Sequence, residues 1–171
     1  MAKTMSARGV FLDRLRNAHA MKKQALSIMQ PQLNRLEHYP EMSALRDRHI
    51  RETEGQIERL DVILSGLDTS ASGLKDMGLS LSGSMAAVGH TLAGDEILKN
   101  SFANHAFENF EIAAYMSLIT TAELSGAVSA VPALQQNLDQ ERRMAAAIAD
   151  GLDAVTRLYL QLAASDEQAD I

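Results

Sequence analysis

At 171 residues the chain is long enough to bury one real core, and its 46% hydrophobic and 22% charged content is ordinary for a globular protein. A net charge of -6 disfavours nucleic acid and anionic membrane surfaces as partners. With no cysteine, disulfides, thiolate metal sites and thiol nucleophiles are excluded, which fits a cytoplasmic location.

The first periodic segment runs from Ala7 to about Glu37, with Pro31 expected to bend or weaken it. Its seam reads Leu12, Leu15, His19, Lys22, Leu26, Met29, Leu33 and Leu36, in steps of three and four. A histidine and a lysine interrupt that stripe for one turn. The N-terminal region has no apolar h-region, and charges break every long apolar run. Neither a signal peptide nor a membrane span is expected.

After the turn "EHYPEMSA", a second helix is expected from Pro40 or Glu41 to Leu64. Its seam is Met42, Leu45, His49, Glu52, Gln56, Leu60 and Ile63. The next thirty or so residues hold six of the ten glycines. They read as a long crossover, with one short helix around Ser84 to Thr91. No GxxxxGK[ST] or GxGxxG spacing makes them a phosphate loop.

A third helix is expected from Asp95 to Leu124, with the seam Ile97, Ser101, Asn104, Glu108, Glu111, Tyr115, Leu118 and Ala122. "SGAVSAVP" turns into a fourth from Val131 to Ala163. There the seam is Leu134, Leu138, Glu141, Ala145, Ile148, Leu152, Val155, Tyr159 and Leu162. Residues 1–165 make one domain, and the tail 166–171 is expected to fray. Short turns pair helices one with two and three with four as hairpins. A crossover of this length lets helices two and three run parallel. The expected fold is an all-α, ferritin-like four-helix bundle with one long crossover between helices two and three.

Folding each hairpin about its turn brings Lys22, Glu52, Glu108, Glu111 and Glu141 to one height in mid-bundle. His49 is close enough to add a nitrogen; His19, taken alone, reads as an ordinary hydrogen-bonded core histidine. Buried carboxylates that face one another need a counter-charge, a metal ion or protons. The seam position of Lys22 puts its ammonium within expected salt-bridge reach of at least one of these glutamates.

The segments "HIRETEGQIERLDVIL", "FENFEIAAYMSL" and "LDQERRMA", with "FLDRLRNAHAMKKQAL" in the first helix, resemble the ferritin-like stress-associated proteins of the bacterial YciE/YciF family. The resemblance covers nearly the whole chain. It implies a dimeric bundle with a carboxylate metal site and a loosely defined part in stress responses. Glu52, Glu108, Glu111 and Glu141 match the family's ligand pattern. Lys22, Asn109 and Ala145 stand where the family has glutamate, histidine and aspartate. A lysine in place of a glutamate changes the layer by two charge units, the charge of one divalent ion. The expectation is a degenerate site in which Lys22 replaces a ligand. No cofactor, or at most one divalent ion of iron or manganese, would be held by the candidate or vestigial ligands Glu52, Glu108, Glu111, Glu141 and His49. Gln56 lies beside them.

The expected protein is more a structural or stress-associated bundle than an enzyme, forming a homodimer without nucleic acid or membrane. Two alternatives remain open. One is a working iron or manganese carboxylate protein, an oxidase or peroxide scavenger; the other is a helical partner-binding adaptor. No Ser/His/Asp order, HExxH motif or phosphate loop supports a hydrolase or nucleotide enzyme.

Overall fold

The computed structural model describes residues 6–67, 96–165 and 169. It consists of α1 (Ala7–Leu33), α2 (Pro40–Gly66), α3 (Glu96–Leu124) and α4 (Val131–Ala164), with a 3-10 turn at Val128–Ala130. No strand occurs among the described residues.

Local chemistry fixes the ends. Ser6 caps α1, its Oγ accepting from the Gly9 amide at 3.1 Å. Pro31 is carried within the helix, which stops soon after at Leu33 rather than running on to Glu37. The proline removes one hydrogen bond from that final turn. Leu36 and Tyr39 then fold inward, both buried, and Pro40 opens α2 in the first turn, where its missing N–H costs nothing. At the end of α3, Gly126 takes φ 79°, and the Ala127 amide donates to the Ala122 carbonyl at 2.9 Å. This left-handed glycine cap reverses the chain toward α4.

Two apolar clusters show how the helices run. One joins Phe11 and Leu15 at the start of α1 with Leu60 and Leu64 at the end of α2, Leu118 and Ala122 at the end of α3, and Leu134 at the start of α4. The other joins Leu36 and Tyr39 with Ile97 at the start of α3 and Leu158 and Leu162 at the end of α4. Helices α2 and α3 therefore end at the same end of the bundle and run parallel. α1 packs against α2 and α3, and α4 against α3 and α2. This is the expected four-helix bundle. The crossover itself, with its expected short helix, lies outside the described residues, as do most of the tail positions. Ala169 is described: it is buried, and its carbonyl accepts from Tyr39 Oη at 2.6 Å.

Candidate functional site: a buried charge layer

Between the two apolar clusters the bundle turns polar. Lys22 on α1, His49 on α2, Glu108 and Glu111 on α3 and Glu141 on α4 are all buried. Each lies on its helix's inward stripe, so ordinary 3.6-residue periodicity delivers four helices' polar groups to one level.

Lys22 Nζ lies 2.6 Å from Glu111 Oε2 and 2.8 Å from Glu141 Oε1. His49 Nε2 stands 3.3 Å from Glu108 Oε1, and its Nδ1 is 4.0 Å from Glu52 Oε2. Glu52 is the outlier of the expected set. Its side chain is 27% exposed, at the edge of the layer rather than inside it. One ligand-type atom from each of His49, Glu108 and Glu141 falls within 4.8 Å of the others, close enough to converge on a single cation.

The electrostatics follow from burial and neighbours. Desolvation pulls the Lys22 ammonium down, but the Glu111 and Glu141 carboxylates more than offset it and hold the lysine charged. Burial likewise opposes His49 protonation, yet its contacts with Glu108 and Glu52 raise it to about 9. Burial drives Glu111 well above the usual carboxylate range against the pull of Lys22, and lifts Glu108 to about 6 against the pull of His49. Glu141 goes the other way. Burial works against its charge, but Lys22 and the contact with Glu108 bring it down to about 2.

The layer itself sets two cations, Lys22 and His49, against three carboxylates, and the buried Arg46 guanidinium one turn away also acts on Glu108. One proton shared among Glu108, Glu111 and Glu141 makes the layer neutral. Burial favours Glu111 or Glu108 as its place, while Glu141 stays ionised. These three acids titrate as a unit.

Around this layer the other polar positions divide. His19 is buried, its Nε2 2.8 Å from the exposed Asp61 carboxylate. Gln56 is fully buried, and neither end of its amide has a hydrogen-bond partner. Asn109 is exposed on α3, where its Nδ2 donates to the His105 carbonyl at 2.8 Å, outside the layer. Three polar positions that the seam reading did not single out also matter. Thr53 and Arg46 are buried on α2. Asn137, fully buried on α4, donates from Nδ2 to Tyr115 Oη at 3.1 Å and accepts from Arg59 Nε at 2.6 Å. No charge or period marks Asn137 in the sequence; only its place one turn before Glu141 hints at it.

No helix among the described residues is long and apolar enough to cross a membrane.

Comparison with known proteins agrees with this layout. The family model described as "Domain of unknown function (DUF892)" matches residues 6–161. A crystal structure of a protein from Xanthomonas campestris pv. campestris shares 26% identity over 91% of this chain and 97% of that one, with a TM-score of 0.76. The Escherichia coli stress protein YciF shares 25% identity over 86% of this chain and 94% of its own, with a TM-score of 0.71. YcfI from Rhodopseudomonas palustris, at 21% identity, 87% and 97% coverage and a TM-score of 0.66, supports the fold alone. The resemblance to the YciE/YciF proteins is therefore borne out in sequence and in fold, and the chain belongs to the DUF892 family of helical bundles.

Proposed function

We propose that this protein is a ferritin-like, stress-associated bundle whose carboxylate metal site is degenerate, with the Lys22 ammonium standing in for one ion, and that it is non-catalytic. The observation that carries this reading is the fully buried Lys22 Nζ, 2.6 Å and 2.8 Å from carboxylates on two other helices. An ammonium has no lone pair to offer a metal, and at this distance its charge repels a cation seated between the same glutamates. The residues do not fit a two-ion centre. They do fit one cation at His49, Glu108 and Glu141, with Glu52 at the edge. Bound there, iron or manganese would act as a Lewis acid or redox partner. His49 would first have to give up the proton that Glu108 and Glu52 help it keep, so uptake would strengthen as pH rises. The likeness to a stress protein supports the association with stress responses.

Oxygen consumption tests the non-catalytic reading. Protein loaded anaerobically with ferrous iron and then exposed to oxygen should consume it no faster than the same iron in buffer. Protein-dependent consumption that persists over several turnovers, or peroxide-dependent turnover, would establish the oxidase or scavenger alternative. The same reading places the protein in the cytoplasm as a homodimer that binds neither nucleic acid nor membrane. An outer face of α3 with exposed Phe102, Phe110, Met116 and Leu124, which also carries the exposed Glu123, supports the dimer. Light scattering at micromolar concentration should give twice the chain mass; a monomer mass would remove the dimer from the account.

A further inference from the structure

One turn beyond the charge layer, toward the Tyr39–Ile97 end, a groove of about 160 Å³ opens between α2, α3 and α4. Its walls are apolar: Met42, Leu45, Met144, Ile148, Leu152 and Val155. Its lining includes four polar residues, Glu41 and Arg46 of α2 and Ser101 and Asn104 of α3, and the Ser101 hydroxyl is spent on the Ile97 carbonyl at 2.8 Å. Arg46 is only 5% exposed, and its Nε–H has no acceptor; the Asn104 Nδ2 is buried and likewise unpartnered.

The chemistry of these two donors is specific. A buried guanidinium ordinarily sits against a carboxylate. Here one arm, Nη1, donates to the neutral Gln32 amide, and no carboxylate lies within ion-pair distance of Arg46 among the described residues. Its acidic influence is Glu108, which already faces His49 at 3.3 Å. Glu41 also lines the groove, but it is solvent-exposed and screened. The volume corresponds to about five waters and is below that of a drug-sized pocket, so the ligand must be small. The backbone adds a second sign of vacant space: a Cβ built on Gly151, which lines the same groove, meets nothing within 4 Å.

We propose that this groove binds a short-chain aliphatic monocarboxylate, the carboxylate taken by Arg46 and Asn104 and the chain lying along Leu152 and Ile148. The site is separate from the Lys22 layer and stands whether or not that layer takes a metal.

Calorimetric titration of the full-length protein with hexanoate tests it, with hexanamide as the uncharged probe of equal length. Hexanoate should bind saturably, and hexanamide at least about tenfold more weakly, since a hydrogen bond to a charged partner is lost. Arg46→Gln should weaken hexanoate by a similar factor. Gly151→Leu puts a side chain into the groove at a helical position where leucine is a better helix former than glycine. It should abolish binding without lowering Tm, so the test survives even if the Arg46 variant folds poorly. Absence of saturable heat up to about 10 mM hexanoate, the weakest affinity worth assigning to a site, would overturn the proposal. So would equal binding of hexanamide, or unchanged binding to Gly151→Leu.

Discussion

Replacing Lys22 by methionine keeps an unbranched side chain of similar length and removes the ammonium. Lys22, Glu111 and Glu141 have no exposed side-chain surface, and the two contacts are 2.6 Å and 2.8 Å. At an effective dielectric near 20, each pair is worth about 6 kcal/mol of Coulomb attraction, against which the desolvation of three groups must be set. The net cost of removing one partner from such a set is about 3–5 kcal/mol. The variant has one escape, which is to protonate a second carboxyl. That becomes cheaper by about 1.4 kcal/mol for each pH unit of acidification. Its deficit should therefore narrow by up to about 2.7 kcal/mol between pH 7 and pH 5. The native Glu141, held down to about 2, keeps its contribution throughout that range and loses it only as pH falls toward 2. Urea unfolding followed by far-UV circular dichroism, for both proteins at pH 7 and pH 5, gives the comparison. A deficit below about 1 kcal/mol at pH 7, the range of an exposed pair, would refute the reasoning. A deficit that does not narrow on acidification would do so equally.

His49 gives a second pH signature. Its proton is held more tightly in the folded state, up to about 9, so its contribution is complete below its ordinary value and lost as pH rises through 9. Melting at pH 7 and pH 10 should show a loss of roughly 3 kcal/mol that His49→Gln abolishes. Asn137→Leu should cost about 1–3 kcal/mol, because Tyr115 Oη and Arg59 Nε both lose a partner. Adding Tyr115→Phe should then cost less than it does in the native background, measured as a double-mutant cycle in urea. Gly126→Ala should lower stability by about 1 kcal/mol, since φ 79° places a Cβ in the left-handed region; an unchanged midpoint would mean that the turn relaxes freely.

How much was legible in the sequence differs from helix to helix. On α3 the stripe reads correctly: Ile97, Ser101, Glu108, Glu111, Tyr115, Leu118 and Ala122 are all buried, and only Asn104 is partly exposed. There the apolar and polar members alternate at helical spacing, so the inward direction is unambiguous. On α2 it is not. Arg46, Ile50 and Thr53 share the interior with His49 and Gln56, which rotates the buried face away from Glu52. Arginine and threonine give no apolar signal, and an arginine buries its stem in a way that a hydrophobic count does not register. On α4 the stripe continues through Ile148, Leu152 and Val155, yet these are only partly buried. They border the groove, and the sequence shows the stripe without showing what fails to cover it. The level of the charge layer was readable because hairpin turns fix residue height. Which carboxylate Lys22 reaches was not, since that depends on side-chain direction between helices.

The central claim is that Lys22 occupies the place of an ion, and metal stoichiometry tests it most directly. Wild type and Lys22→Glu, purified without chelators and loaded identically with iron or manganese, should be compared by elemental analysis. The account predicts at most one ion per chain in the wild type and a clear gain in Lys22→Glu, where a carboxylate replaces the ammonium between Glu111 and Glu141. Two ions per chain in the wild type would contradict it.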